Sequence, residues 1–535
     1  MNRHFSKTDI LALGALLALT LIVLFARHDF TRAPAEDAAI LMRYSEHLAE
    51  GHGIVWNIGD PPVDGATDFL YMAFLALLHW LGISLEQATV ATGVAAHFAT
   101  VALVYIAPRK LYGANRWLAA FGAIWLALGP GLAYTEAYFG TAFFAFFVGL
   151  TWVFASWTAL DDRPGIAWAF ALSGLVSGLI RPEGVIAALL MLAGIVFMKG
   201  WRRARKTVLI FAGVFVVLGG LYFLWRWDYF GYPLPNPFYR KGGGRIYVEG
   251  LKTAIRAVLA FGLPFLPAYL LVWWPRPSLR QAVFALIPVA GFSAAWILLS
   301  NEMNYLYRFQ YAVLPILLIS WPPLMQQLTS NLGIMRVAEG DSKIRSLYAV
   351  SAALLVALLL QRHYVEYKGV APRSDGRYDV AMILRDYKDK GYTVATSEAG
   401  LVPYYSRWKS VDTWGLNDSW ITHNKGITPE YLDKYHPHVI TFHAFFSPVN
   451  LPPREKAWYE MGGWDQMVAV MKDYAESNGY VLAAVFGRSP FNTNWYYVRS
   501  DFPDSAEIVQ RIRTTPYAWV SDGQPSVDFA HLCEP

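Results

Sequence analysis

Long apolar runs fill the chain up to about residue 361. A membrane-spanning helix needs about 20 consecutive apolar residues, and runs of roughly this length predict eleven spans. They lie at residues 9–26, 87–107, 117–134, 138–158, 165–180, 184–199, 207–225, 255–274, 281–300, 306–325 and 345–361.

A further apolar run, Phe69–Ile83, has only 15 residues. Counting it as a span would put Arg109 and Lys110 outside, whereas a re-entrant or surface-lying helix leaves them inside with the other basic loops. Because basic residues concentrate in cytoplasmic loops, we adopt the second interpretation. The N-terminus is then cytoplasmic, and everything after Leu360 lies outside.

The longest polar interruption before residue 200 runs from Ala33 to Asp68. Within it, Asp37–Glu50 predicts an amphipathic helix, because apolar residues recur at i, i+3 and i+4 spacing. The segments GHG and GDPPVDG that follow are typical of turns. This stretch makes up most of the first outer loop, residues 27–86.

The tail after residue 361 has frequent charges and no long apolar run. Short apolar segments at 392–397, 438–445, 480–487 and 495–500 predict strands, and 379–389, 458–477 and 501–512 predict helices between and after them. Alternating strands and helices indicate a small α/β domain on the outer face. The predicted organisation is a polytopic α-helical membrane domain over 1–361 and an extracytoplasmic α/β domain over 362–535.

Composition agrees with this pattern. Of the 535 residues, 55% are hydrophobic and 16% are charged, which is typical of a polytopic membrane protein. The single Cys533 excludes an intramolecular disulfide framework and a cysteine-based zinc site. The net charge of +5 comes from basic residues distributed among loops, so nucleic acid is not expected as a partner.

With this topology, polar residues from five separate segments gather on the outer side. Charged groups at membrane depth are costly and often mark functional sites. Glu36 and Asp37 are adjacent acids that point in different directions, so one can act as a general base while the other binds a cation or caps the helix. Helix capping alone is the alternative for both, because acids are favoured at helix N-termini.

Three segments offer cations at the same surface. Arg181 can hold a lipid phosphate or the loop acids, or it can simply pair with Glu183. Residues 236–241 supply aromatic and basic groups, with an interfacial anchor as the alternative. Arg308 can bind an anion or extend its charge to the membrane surface. His47 and His52 lack the spacing of a metal site, so we interpret them as structural.

Four spaced motifs occur along the chain, EDAAILMRYSEHLAEGHGIVWNIGDPPVDGATDFLY, GLIRPEG, LPNPFYRK and YRF. Together they resemble, in the same order, motifs of a branch of the GT-C glycosyltransferase superfamily, and the first is similar to the first outer loop of that branch. That branch includes the mycobacterial terminal arabinofuranosyltransferases, and bacterial pilin arabinosyltransferases are similar. AGLVPYYSRWKSVDTWGLND resembles a segment of the outer domain, so the likeness reaches about residue 418.

The resemblance implies an inverting glycosyltransferase of the bacterial inner membrane. Its donor is a polyprenyl-phosphate sugar, arabinofuranose by resemblance, and its acceptor is a hydroxyl of a cell-envelope glycan or glycoprotein. No cofactor is assigned, and a divalent metal is left open. The implied catalytic residues are Asp37 and Glu36, and the implied donor phosphate or lipid ligands are Arg181, Lys241, Arg308, Arg240 and Tyr239. The expected substrate-binding residues are Arg43, Tyr44, His52, Trp56, Asn57, Asp68, Glu136, Glu183 and Asn236.

Two departures from the family pattern stand out. Gly140 occupies a position where the family often has a glutamate, and Glu136 lies one turn upstream. The loop turn reads DGATD, which indicates a different acceptor.

Physical reasoning gives the same class. Because the outer face lacks a supply of nucleotide sugars, a sugar transferred there should arrive on a lipid phosphate, with cations holding the departing phosphate and an apolar groove holding the tail. The Phe69–Ile83 run is a candidate for that groove. A transporter or flippase is the alternative, but it should place charges near the bilayer midplane in two repeated halves. A sensor built on the outer domain would leave the Asp37 loop unexplained.

Overall fold

The protein is described here from a computed structural model. It describes residues 6–241, 246–271, 277–331, 375–444, 463–489 and 492–515, with 357, 447, 449, 520–521 and 524–525 besides. The helices up to residue 331 are α1 Lys7–Arg27, α2 Glu36–Ala49, α3 Phe69–Trp80, α4 Leu85–Tyr112, α5 Arg116–Ala127, α6 Gly131–Glu136, α7 Thr141–Leu160, α8 Pro164–Ile180, α9 Glu183–Lys199, α10 Trp201–Val214, α11 Gly220–Phe230, α12 Asn236–Arg240, α13 Val248–Gly262, α14 Leu266–Leu270, α15 Pro277–Ala295 and α16 Leu314–Asn331.

Ten of the eleven predicted spans correspond to these helices or to consecutive pairs of them. Among the described residues, six helical segments are long and apolar enough to cross a membrane, and shorter apolar helices accompany them. The protein is therefore a multi-pass membrane protein. The predicted span at 345–361 lies outside the described residues, apart from Ala357.

The short apolar run within residues 27–86 forms α3, which has 12 residues. Asp9 at the start of α1 pairs with Arg109 near the end of α4 at 2.9 Å, and Tyr105 donates a hydrogen bond to the same carboxylate at 3.0 Å. The start of α1 and the end of α4 thus lie side by side. If both helices cross the membrane, residues 28–84 start and finish on one side, which supports the non-spanning interpretation of α3.

The C-terminal region contains a five-stranded mixed sheet with the order β2-β1-β3-β5-β4. The strand β1 pairs in parallel with β2 on one side and with β3 on the other. The strand β5 pairs antiparallel with both β3 and β4. Its strands are β1 Thr393–Thr396, β2 Lys409–Asp412, β3 Val439–His443, β4 Tyr480–Ser489 and β5 Asn492–Arg499, and its helices are α17 Arg377–Arg385, α18 Leu401–Ser406, α19 Ser419–His423, α20 Pro429–Tyr435, α21 Trp464–Ser477 and α22 Ser505–Arg513.

The expected C-terminal strands are present, and the structure adds β2, which is only four residues long and carries a charge at each end. Apolar side chains fill both faces of the sheet, with Ile440 and Tyr497 on one side and Val439 and Tyr496 on the other. The mixed sheet confirms the α/β character expected of this region.

The helix α2 joins the two regions. Its apolar face packs on α3, where the Ser45 hydroxyl donates to the carbonyl of Met72 at 3.0 Å. Its other side meets α18 and the loop before it, so Leu401 and Tyr404 belong to the same apolar core as Met42 and Met72. The loop of residues 27–86 is therefore held between the membrane helices and the α/β domain.

Candidate active site

A cavity of about 130 Å³ lies where α2, α3, α7, α8 and α12 meet. It brings together residues from seven separate segments of the chain. Its charged lining consists of Asp37, Asp68, Arg181, Lys241 and Arg308, and the remainder comprises Ala38, Ile40, Leu41, Gly65, Ala66, Thr67, Tyr138, Phe139, Gly140, Thr141, Pro237, Phe309 and Leu416. Five of the predicted site residues, two acidic and three basic, thus line one cavity.

Asp37 lies in the first turn of α2 and forms an ion pair with Arg308. Its side chain is 34% exposed, and it lines the cavity. Burial raises the pKa of the Asp37 carboxyl, but the positive charges of Arg308, Lys241 and Arg181 outweigh burial, so the pKa lies below its ordinary value. Asp37 is therefore ionised at neutral pH, as a proton acceptor must be.

Arg308 is presented by a strained turn. Leu306 and Tyr307 directly before it have φ values of 51° and 59°, in the left-handed region that non-glycine residues seldom adopt. Its guanidinium lies 4.0 Å from the ring centre of Phe139 and 4.9 Å from that of Phe309. Tyr138, next to Phe139, also has a positive φ of 63°. Strain of this kind persists where packing imposes it and concentrates at functional sites.

Arg181 follows the end of α8 and lies between two acids. It is 3.5 Å from Asp68 and 3.4 Å from Glu183, and all three side chains are largely buried. Burial raises the pKa of Asp68, which Arg181 partly offsets, and Glu183 raises it further. The salt bridge to Glu183 that the sequence suggests is present, and the arginine also lines the cavity.

The segment 236–241 turns its side chains in different directions. Lys241 lines the cavity and forms no ion pair with any described residue. Arg240 instead stacks over the Trp414 ring at 3.7 Å and donates to the Trp414 carbonyl. Tyr239 contacts Tyr232 and His423, outside the cavity lining. The Asn236 amide donates to the carbonyls of Gly415 and Leu416 at 2.7 and 3.0 Å and so holds the segment against the α/β domain.

Glu36 points away from the cavity, towards the α/β domain. Its carboxylate accepts backbone N–H bonds from Gly400 and Leu401 at 2.7 and 2.9 Å, just before and at the start of α18. It also pairs with Arg377 at 3.1 Å. Arg377 also forms ion pairs with Asp375 and with Glu398, the latter at 3.3 Å. Glu36 therefore connects the two regions of the protein.

Three acids around one guanidinium leave an excess of negative charge. Burial raises the pKa of Glu36, the positive charge of Arg377 lowers it in part, and the negative charge of Glu398 raises it further. The resulting pKa is about 7. When the pKa of a carboxyl group is higher in the folded protein than in the unfolded chain, the group stabilises the fold at pH values below its unfolded pKa. This stabilisation is lost as the pH rises towards the folded pKa, here about 7. We therefore expect Glu36→Gln to flatten the dependence of Tm on pH between about 5 and 8.

Differential scanning fluorimetry of the wild type and Glu36→Gln at several pH values measures this effect. Glu249→Gln is the matched control, because Glu249 is an exposed acid on α13. Parallel curves for the wild type and Glu36→Gln would contradict the assignment.

The other residues expected to bind substrate lie outside the cavity lining. The Arg43 side chain donates to the backbone carbonyl of Trp56 at 2.8 Å and to the side chain of Asn57 at 3.0 Å, which folds the loop around it. The Tyr44 hydroxyl is buried and donates to Asn417. His52 is exposed beside Glu50 at 3.8 Å. These residues are placed to shape the loop, and their binding roles stay predictions.

Glu136 and Gly140 lie on opposite sides of Tyr138 in the chain. Glu136 pairs with Arg32 at 3.1 Å and does not line the cavity. Gly140 does line it, and a Cβ atom there would lie 3.3 Å from a carboxylate oxygen of Asp68 and 2.7 Å from the Tyr71 ring. Asp68 thus places an acid beside the position where the family pattern has one.

Several participants were not among the site residues predicted from the sequence. Phe139 and Phe309 flank Arg308, and Leu416 brings the α/β domain to the cavity edge. Asp64 pairs with Arg226 of α11, which holds the turn of the outer loop. Arg377 lies far along the chain from Glu36. Only the repeated acidic and basic residues near the predicted boundaries hinted at such pairing.

One group in the described residues has the composition of a metal site. Ligating atoms of Glu46, Glu50 and His79 lie within 4.8 Å of one another. Glu46 is already paired with Arg407, and the group lies at the far end of α2 from Asp37. None of these three residues lines the cavity.

The fold is similar to that of two solved structures of ArnT. Crystal structures of ArnT from Cupriavidus metallidurans, in the apo state and bound to undecaprenyl phosphate, match with TM-scores of 0.57 and 0.58 at 16% sequence identity. The matches cover 91% and 92% of this chain and 97% and 98% of those chains. The expected GT-C-like architecture is thus confirmed at the level of the fold.

One further structure and one protein family also match this chain. The cryo-EM structure of the arabinofuranosyltransferase AftD from Mycobacteria matches with a TM-score of 0.47 and 15% identity, over 92% of this chain and 40% of that chain. A family described as a domain of unknown function (DUF8728) matches residues 366–499, within the α/β region. No curated protein matches the sequence.

Proposed function

We propose that the protein is a membrane glycosyltransferase that moves a sugar from a polyprenyl-phosphate donor to an acceptor hydroxyl. The observation that carries the proposal is the cavity itself, where one ionised carboxylate, Asp37, faces Arg308, Arg181 and Lys241. The ArnT fold, known with undecaprenyl phosphate bound, supports a lipid-linked donor. The sequence resemblance favours arabinofuranose as the sugar.

In the proposed reaction, Asp37 accepts the proton of the acceptor hydroxyl as its oxygen attacks the anomeric carbon. The bond from that carbon to the phosphate oxygen breaks, and its electron pair leaves with the polyprenyl phosphate. Cations that face the departing oxygen stabilise the charge it gains. Attack from the side opposite the phosphate inverts the anomeric carbon.

The ion pair between Asp37 and Arg308 gives the donor a second role. A phosphate bound to Arg308 competes with the carboxylate for the guanidinium, which withdraws one of the charges that hold the Asp37 pKa down. Asp37 then becomes a stronger base when donor is present. Donor binding and activation of the acceptor are linked through this one arginine.

The donor tail needs an apolar surface next to the cavity. Phe69 follows Asp68 directly, and its ring contacts Tyr222 and Trp225 of α11 at 4.9 and 5.6 Å. Leu77 and Trp80 of α3 and Leu221 of α11 are exposed. We assign the tail to this surface between α3 and α11.

Transfer is tested with purified protein in proteoliposomes and a panel of labelled polyprenyl-phosphate sugars. We expect one labelled sugar to leave the lipid and appear on an added envelope glycan. A lipid-linked sugar that crosses the bilayer unchanged would favour the flippase alternative instead. The charges support transfer, because they gather at helix ends, with Asp37 at the start of α2, Arg181 after the end of α8 and Glu183 at the start of α9.

We place the cavity and the α/β domain on the outer face of the bacterial inner membrane. In a Cys533→Ser background, Asp389→Cys and Asp473→Cys, both at exposed positions of the α/β domain, should react with a membrane-impermeant maleimide in intact cells. Arg203→Cys in α10 is the control and should react only after lysis. The reverse labelling pattern would contradict the orientation.

A further inference from the structure

A second cavity, of about 450 Å³, lies between the first outer loop and the α/β domain. It is lined on one side by the later turns of α2 and on the other by α17 and the segment leading into β2. Its lining residues are Arg43, His47, Glu50, Asn57, Ile58, Arg385, Lys388, Arg407, Trp408 and Lys409. Five of the ten are Lys or Arg, and one is an acid.

Part of this positive charge is not compensated, although Arg407 pairs with Glu46 and Lys409 pairs with Asp60 at 2.7 Å. Arg385 and Lys388 form no ion pair with any described residue. Arg43 is buried, and the oxygens that accept its hydrogen bonds, such as the Trp408 carbonyl at 3.0 Å, are all neutral. A buried guanidinium without a counter-charge is costly. Burial, together with Arg407, lowers the pKa of Arg43 to about 9, as that cost predicts.

Two further features point the same way. Arg407 has a φ of 64° at the end of α18, a position that favours glycine. Burial lowers its pKa to about 10, although it pairs with Glu46. His47 stays neutral, because burial and the charge of Arg43 lower its pKa to about 4. The positive residues are thus held in place at an energetic cost to the fold.

We propose that this second cavity binds an oxyanion, a phosphate or carboxylate, carried by the glycan acceptor. Arg43 and Arg407 form its wall, and Arg385 and Lys388 supply free donors at its opening. Trp408 and Asn57 add an aromatic face and an amide, groups that suit a sugar next to the anion. The inference deepens the proposed function, and the identification of the ligand as the acceptor rests on that function.

Helix geometry sets the spacing of the two sites. Arg43 lies six residues after Asp37 on α2 and Glu50 thirteen, which at 1.5 Å per residue is about 9 and 20 Å along the helix. The anion then lies roughly one to a few sugar units from the hydroxyl that receives the new sugar. The cavity would select acceptors by charge at a distance from the reaction.

Direct binding without donor tests the inference independently of turnover. The detergent-solubilised full chain is titrated with a synthetic trisaccharide that bears one phosphate monoester, and with its unphosphorylated parent. We expect the phosphorylated form to bind more tightly and Arg385→Gln/Lys388→Gln to weaken its binding about tenfold or more, since hydrogen bonds to charged groups contribute strongly. Lys425→Gln/Asp473→Asn, two exposed changes of the same domain away from the cavity, is the control.

Equal affinity of the wild type and the cavity variant for the phosphorylated sugar would overturn the inference. A second arm uses nanodiscs with and without phosphatidylglycerol. If the cavity variant weakens binding of this anionic lipid but not of the sugar, the anion is a membrane headgroup and the acceptor assignment is wrong. Because no donor is present, failure of the proposed transferase reaction leaves this result unaffected.

Discussion

Asp37→Asn is expected to fold, to bind the lipid donor and to lose nearly all turnover. Asparagine keeps the shape of the side chain but cannot take a proton, and a positioned base contributes typically 10²–10⁴-fold to such a step. Loss of the ion pair also frees Arg308 for the phosphate, so donor affinity should stay the same or rise. Single-turnover release of labelled sugar, with donor binding measured separately, gives both quantities.

Two other acids serve as comparisons for Asp37. Glu36→Gln should keep most turnover, because Glu36 faces α18 and Arg377 and not the cavity. Asp68→Asn tests the other acid of the first cavity, whose raised pKa makes it the alternative candidate for the general base. If Asp68→Asn is inactive while Asp37→Asn turns over normally, the base is Asp68. Full activity in both would place the chemistry elsewhere.

Lys241→Gln is expected to raise the donor KM about tenfold or more, since a charge-assisted hydrogen bond to phosphate contributes about 1.5–3 kcal/mol. Lys241 has no ion-pair partner among the described residues, and Asp37, whose pKa it helps to lower, keeps its ion pair with Arg308 after the change. Thermal stability should therefore stay close to that of the wild type. Steady-state kinetics over a range of donor concentrations measures the effect.

Arg181 gives a less specific test of the same site. Arg181→Ala also removes the partner of Asp68 and Glu183, so it should lower both donor affinity and Tm. Lys252→Gln is the control for Lys241, because Lys252 is an exposed lysine that pairs with Glu249 on α13. Unchanged donor KM in both Lys241→Gln and Arg181→Ala would show that the phosphate is held elsewhere.

The sequence predicted most of the membrane helices, because hydrophobic length is a local property. It was less informative where helices break: the predicted span 117–134 is two helices separated at Gly129 and Pro130, and 255–274 is interrupted around Pro264. The predicted span from 306 begins instead with short turns at positive φ, which present Arg308. Tertiary packing imposes that strain, and no local pattern encodes it.

The candidate site was predictable by residue type but not by pairing. Adjacent acids on a helix diverge by about 100°, so the sequence indicated that Glu36 and Asp37 face different surroundings. Which of them meets Arg308 depends on a contact across 271 positions. The sequence suggested substrate binding for Arg43 and Asn57 but did not indicate the second cavity, because Arg43 on α2 and Arg385 on α17 are brought together only when the two regions dock.

The location of the donor phosphate tests the central claim most directly. A cryo-EM structure of the full chain with undecaprenyl phosphate would show it. We expect the phosphate in the first cavity, within hydrogen-bond distance of Lys241 and Arg308, with the Asp37 carboxylate released from Arg308 and facing open space. A phosphate bound elsewhere, with the ion pair between Asp37 and Arg308 intact, would contradict the account.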